Sequence, residues 1–177
     1  MPLMAIVYHN GSGHTDAQVD AVVAGAKPLV EVVTMPADAP DWEMLHSADA
    51  IVLGSPTYMG TVSAQLKGFM DATGDFWATQ PWKDKIAGGF THSGHLSGDK
   101  LNTLMTMGIF AAQHGMIWVG MDLIPPTTSG DTTYTNRLGG WLGPMGQSGQ
   151  APAEGDLATA THYGKRLATV MLRMKGK

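Results

Sequence analysis

The stretch Ile6-Val7-Tyr8-His9-Asn10-Gly11-Ser12-Gly13-His14-Thr15 decides the reading of this chain. It reads as a short apolar strand running through a Gly/Ser turn into an amphipathic helix. That order places backbone N–H groups and small hydroxyls at a helix N-terminus, where unpaired donors and the helix dipole favour an anion. Asn10, Ser12, His14 and Thr15 surround Gly13, and the glycines let a phosphate come close to the backbone. The spacing is neither G-x-x-x-x-G-K-[ST] nor G-x-G-x-x-G, and no lysine lies inside the loop. An ATP-type loop and a dinucleotide fingerprint are both disfavoured, and a lone phosphate monoester fits better. The competing interpretation is an ordinary strand–turn–helix junction.

Working outward, apolar runs alternate with helical patterns. Residues 3–8 form the first strand, and residues 15–26 a helix with Val19, Val22, Val23 and Ala26 on one face. Residues 29–34 are a second strand, 41–47 a short helix after Pro36 and Pro40, and 50–54 a third strand ending at Ser55-Pro56-Thr57-Tyr58-Met59-Gly60. Residues 63–73 are helical, with Gly74 as the expected C-cap. A fourth strand over 86–91 enters His92-Ser93-Gly94-His95-Leu96-Ser97-Gly98. Residues 99–113 are helical, with Leu101, Leu104, Met105 and Gly108 expected inward. A fifth strand covers 116–119. The last helix runs over about 156–174, with Leu157, Ala160, Gly164, Leu167 and Met171 on its stripe. Five strands in β/α alternation argue for a doubly wound parallel sheet, and 177 residues suit one domain over 1–177. Residues 124–150 are a long Gly-, Pro- and Thr-rich stretch, of the kind used for function or oligomer contact.

Composition narrows the function classes. A net charge of -4 leaves no electrostatic footprint for nucleic acid. There are no cysteines, which excludes disulfides and thiolate metal sites. The first apolar run is too short for a membrane span and lacks a basic flank, so neither membrane insertion nor export is expected and the location is cytoplasmic. His92 and His95, with Asp99 nearby, are spaced like a metal pair, but a Gly-rich loop suits solvated or ligand-contacting histidines better, and no metal is expected. No G-x-S-x-G frame is present, which disfavours hydrolysis.

Ligands of open α/β sheets bind beyond the C-terminal strand ends. Three loops lie there: 9–15, 54–60 and 91–98. One loop for a phosphate and two for a planar ring is the layout a flavin needs.

With the blocks Gly54-Ser-Pro-Thr-Tyr-Met-Gly60, Gln65-Leu-Lys-Gly-Phe-Met-Asp-Ala-Thr-Gly74, Phe76-Trp77-Ala78, Ser93-Gly94, His114-Gly115-Met116 and Gly139-Gly140, the chain resembles the flavodoxin-like superfamily. More narrowly it resembles the WrbA-type NAD(P)H:quinone oxidoreductases. The resemblance covers essentially the whole chain. It implies a flavodoxin-like three-layer sandwich with a five-stranded parallel sheet in order 2-1-3-4-5. It also implies non-covalent FMN, NAD(P)H as co-substrate, a small-molecule quinone as acceptor, and a homodimer or homotetramer. By resemblance the phosphate lies on Asn10, Ser12, Gly13, His14 and Thr15. Ring contacts come from Pro56, Thr57, Tyr58, Met59 and Gly60, and from Thr91, His92, Ser93, Gly94 and His95. Trp77 and His114 correspond to catalytic-pocket residues that wall the space above the flavin, contributed by neighbouring subunits. Trp77 also reads as an ordinary interface or core aromatic, and His114 as a helix cap.

Tyr58-Met59 departs from the family's pattern, as do the loop 137–146 and the third loop, which lacks the usual triple glycine. These departures bear on nicotinamide and quinone preference. A flavodoxin-type electron carrier without its own NAD(P)H oxidation is the alternative function, and a redox-inactive scaffold a further one.

Overall fold

A computed structural model describes residues 1–127, 131–149 and 152–176. The elements in chain order are β1 (Leu3–Tyr8), α1 (His14–Ala26), β2 (Glu31–Pro36), α2 (Trp42–Ser47), β3 (Ala50–Tyr58), β4 (Thr61–Val62), α3 (Ala64–Ala72), α4 (Gly74–Thr79), β5 (Ile86–Ser93), α5 (Lys100–Gln113), β6 (Ile117–Trp118), β7 (Met145–Gln147) and α6 (Glu154–Met174). The sheet order is β2-β1-β3-β5-β6. With β5 and β6 as the fourth and fifth expected strands, this is the expected order 2-1-3-4-5.

Alternation along β1 sorts its side chains to the two faces. Ala5 and Val7 join a core with Leu45, Leu66, Phe69, Trp82, Leu104, Met107 and Phe110 on one side. Met4 and Ile6 face Val19, Val22, Ala160, Tyr163, Leu167 and Met171 on the other. The sheet thus lies between a layer holding α2, α3 and α5 and a layer of α1 and α6, the flavodoxin-like sandwich. Asp41 caps α2 by accepting from Met44 N (2.9 Å), and Ser63 caps α3 by accepting from Leu66 N (3.3 Å). Among the described residues no helix is long and apolar enough to cross a membrane.

The structure corrects several local expectations. Gly74 is no C-cap: Thr73 ends α3 and Gly74 opens α4 at once. The inward face of α5 is Lys100, Thr103, Leu104, Met107, Phe110 and Ala111, whereas Leu101 and Met105 point outward. The helix is rotated because its polar residues Lys100 and Thr103 find partners beneath the loops. The fifth strand position is split. β6 pairs with the start of β5 at Ile86 and Ala87, and β7 pairs with its end, Thr91–Ser93. The stretch 124–150, of which 128–130 and 150 lie outside the described residues, therefore leaves the sheet and returns to it.

Candidate functional site

The turn between β1 and α1 is shaped by its own side chains. Asn10 Oδ1 accepts from Gly13 N (2.8 Å), and Asn10 Nδ2 donates to the Asp16 carboxylate. Gly13 sits at φ 86 as the N-cap with no side-chain cap. The first-turn amides of α1 are left without intrahelical acceptors. A Cβ built on Gly13 would meet nothing within 4 Å, so the space over the turn is open. Ser12 is exposed, with Oγ 3.3 Å from His14 Nδ1, and His14 Nε2 lies 3.0 Å from the Gly149 carbonyl.

The second loop is a two-residue hairpin. β3 and β4 pair antiparallel at Thr57↔Val62 and Tyr58↔Thr61, with Met59 (φ 47) and Gly60 (φ 85) as its centre. Positive φ at both central positions gives the turn whose twist matches the strands. It leaves the Met59 side chain fully exposed at the sheet end, beside the half-exposed Tyr58 ring.

The third loop begins where β5 ends. Two of its carbonyls are tied by adjacent residues at the end of β7: Gln147 Nε2 donates to Gly94 O (3.4 Å) and Ser148 N to Ser93 O (2.8 Å). Gly94 and His95 are exposed. The three expected loops therefore meet at one end of the sheet.

Not every expected residue offers its side chain there. The Thr57 hydroxyl bonds to Thr91 Oγ1 (2.9 Å) and Thr103 Oγ1 (2.8 Å) in a buried ladder. Thr91 also gives its N–H to Pro144 O and takes Gln18 Nε2 on its carbonyl. Thr91 is thus an internal brace. His92 is buried, with Nε2 on Thr15 Oγ1 (2.9 Å) and Nδ1 on Ser148 Oγ (2.6 Å). Burial first, then the neighbouring His14 and Lys100, pull its pKa down to about 4, so the ring is neutral at neutral pH. His92 and Thr15 thereby join the first loop to the third.

Sequence reasoning missed Lys100. Its side chain is fully buried, and Nζ donates to Ser93 Oγ (3.0 Å) and His95 O (2.6 Å) from beneath the third loop. Burial lowers its pKa to about 8 against the opposing pull of Asp156. Asp156, also buried, is held by Arg137 Nη2 (2.8 Å) and Gln147 N (2.9 Å). The available signal was a lysine opening a helix immediately after Gly98-Asp99, where a cation is unfavourable. Beside this loop, Leu96, Leu101, Arg137, Leu138, Trp141 and Met145 line an open, mostly apolar cleft of about 510 Å³.

Trp77 and His114 lie together elsewhere. Both line a hollow of about 220 Å³ with Thr73, Gly74 and Phe110. His114 follows the C-terminal end of α5, and that 14-residue helix separates it from the third loop by about 20 Å. Neither residue touches the three loops of its own chain. Trp77 is exposed, but His114 is buried as the C-cap residue, with Nε2 on Thr73 Oγ1 (2.9 Å) and its ring against Trp82 and Phe110. Its Nε2 is thereby engaged, as suits the cap position, while its Nδ1 is buried without a hydrogen-bond partner among the described residues. The nearby Trp82 is a core residue that donates to His46 Nδ1 (3.0 Å).

A family model described as NADPH-dependent FMN reductase matches residues 7–124. The chain is 39% identical over 178 residues to flavodoxin FldP of Pseudomonas aeruginosa, covering 96% of this chain and 97% of that one. It is 31% identical over 204 residues to an NAD(P)H dehydrogenase (quinone) of Geobacter sulfurreducens, covering 97% and 98%. Among solved structures, the flavodoxin, WrbA-like protein from Agrobacterium tumefaciens superposes with a TM-score of 0.78 at 39% identity, covering 98% and 99%.

Proposed function

The chain belongs to the NADPH-dependent FMN reductase family, and from that membership and the three-loop cradle we propose an FMN-dependent oxidoreductase. In this reading it passes a hydride from NAD(P)H by way of FMN to a quinone, and the whole chain acts as one flavodoxin-like unit. The observation that carries the proposal is the meeting of the three loops at the C-terminal ends of β1, β3 and β5.

The residues present fit FMN by their donor chemistry. Open first-turn amides over Gly13, with the exposed Ser12 hydroxyl and the His14 ring beside them, suit a phosphate monoester. Gln18 Oε1 and His9 Nδ1, on either side of this loop in sequence, are buried without hydrogen-bond partners. Asn10 and Thr15 serve by shaping the turn and pinning it to His92. Pro56, Tyr58, Met59 and Gly60 form one side of the ring cradle, and the 93–95 backbone forms the other. Thr57, Thr91 and His92 support these loops from inside. When bound, FMN supplies the redox chemistry, and the protein supplies position and electrostatics. Trp77 walls the acceptor space of a neighbouring subunit, with His114 packed behind it.

The alternative, a flavodoxin-type carrier, is favoured by the relative named flavodoxin FldP. One measurement separates the two. The purified chain, alone or with added FMN, is expected to show a flavin spectrum and to oxidise NADH or NADPH with benzoquinone as acceptor. A flavin spectrum without NAD(P)H oxidation would assign the carrier. No FMN uptake would overturn both readings.

A further inference from the structure

Two buried ionisable groups, Lys100 and Asp156, and the partly buried Arg137 lie behind the third loop, and their charges do not balance. Lys100 and Arg137 are cationic and Asp156 is the one carboxylate of the group. Asp156 is already engaged by the Arg137 guanidinium and the Gln147 amide. Lys100 is left with a hydroxyl and a carbonyl as its partners, Ser93 Oγ and His95 O, and no carboxylate among the described residues bonds to its ammonium. It also opens α5, so the helix dipole adds positive potential at the same place. A buried cation so placed is unfavourable in the chain alone. It becomes favourable when negative charge comes to rest on the other side of the loop that it holds.

Resting on the FMN reading above, we infer that Lys100 is a positioning residue for the flavin ring. Its ammonium braces the third loop from beneath and provides the fixed positive charge that favours the reduced, more negative ring over the oxidised one. The groups that face it are Ser93 and His92 from β5, His95 from the loop, Arg137 from the excursion after β6, and Asp156 from α6. His92 is neutral at neutral pH. Burial brings the Lys100 ammonium down to about 8, so its charge changes just above neutrality.

The test is potentiometric titration of the FMN-loaded protein between about pH 6 and pH 10, with free FMN as reference. In the native protein the bound-minus-free potential should bend downward as pH rises through about 8, where the ammonium is lost. Lys100→Met should lower the preference for reduced over oxidised FMN about tenfold, a negative shift of about 30 mV for a two-electron couple, and should abolish the bend. Lys100→Arg should keep the native potential and also lose the bend, because a guanidinium does not titrate in this range. Equal weakening of both oxidation states in Lys100→Met, with the native potential kept, would reduce Lys100 to a loop brace and overturn the inference. If Lys100→Met does not fold, an unbent native profile overturns it alone. Failure of the native protein to take up FMN is a separate first-step result, and it removes the functional reading as well.

Discussion

At the residue scale the cradle is divided between side chains that face outward and side chains spent on holding the loops. Ser12 belongs to the first group. Ser12→Asp places a carboxylate against the phosphate, and like charges about 4 Å apart near a protein surface repel by about 1–4 kcal/mol. FMN affinity should fall by well over a factor of about ten, since about 1.4 kcal/mol is tenfold. Flavin fluorescence titration of the folded variant checks this, and unchanged affinity would reject the loop assignment. His92 belongs to the second group. Its folded pKa of about 4 lies below the ordinary 6.5, so the unfolded chain takes up a proton that the folded chain refuses. Its stabilisation is fully present above about pH 6.5 and is lost as pH falls toward 4. The loss amounts to about 3–4 kcal/mol at most, at about 1.4 kcal/mol per pH unit. Urea unfolding across this window should show the decline, and His92→Gln should flatten it. His114, held below its ordinary pKa by burial, keeps a residual slope in the same direction.

At the element scale, the contact between α1 and α6 depends on the absence of two side chains. A Cβ on Gly164 would lie 2.0 Å from Val22 O, and one on Gly25 would lie 1.9 Å from Thr161 O. In each case the obstacle is backbone, which cannot swing aside. Gly→Ala in an exposed helix interior is worth up to about 1 kcal/mol in favour of alanine. Here overpacking of about 1–3 kcal/mol opposes it. Gly164→Ala should therefore lower the unfolding free energy, and a denaturation midpoint at or above the native value would show that the helices yield without strain. Because α1 also carries the first loop on its N-terminus, the same variant is expected to loosen FMN binding.

At the scale of the whole molecule, the outward face of α5 carries Leu101, Met105 and Ile109 at four-residue spacing, with Leu101 53% and Ile109 60% exposed. Trp77 and Trp141 are exposed as well. A soluble monomer seldom leaves such a stripe uncovered, and in the proposed arrangement another subunit brings Trp77 to a cradle. The chain is expected to form a homodimer or homotetramer, as light scattering would report. Replacing Leu101 and Ile109 with Glu should dissociate the assembly and raise the quinone KM while FMN remains bound. A monomeric native protein with full quinone reductase activity would reject both the assembly and the Trp77 wall.

Periodicity and turn residues carried much of this architecture. The strands around 3–8, 50–54 and 86–91 are apolar runs, and they lead to the loops whose Gly, Ser and Pro residues mark the cradle. The helices around 41–47 and 63–73 and most of the stripe of α6, Ala160, Gly164, Leu167 and Met171, were also legible, because each depends on neighbours within a turn or two. The tertiary structure decided which polar groups remain available. His92 meets Thr15 and Ser148 across 77 and 56 positions, Thr57 meets Thr103 across 46, and Asp156 meets Arg137 across 19. It also turned α5 so that Leu101 faces outward and Lys100 inward, and split the edge strand into β6 and β7. Local pattern determines where a strand or helix forms because its hydrogen bonds and exposed face are local. The partners of a buried hydroxyl, imidazole or ammonium are chosen by whichever distant segments pack against it.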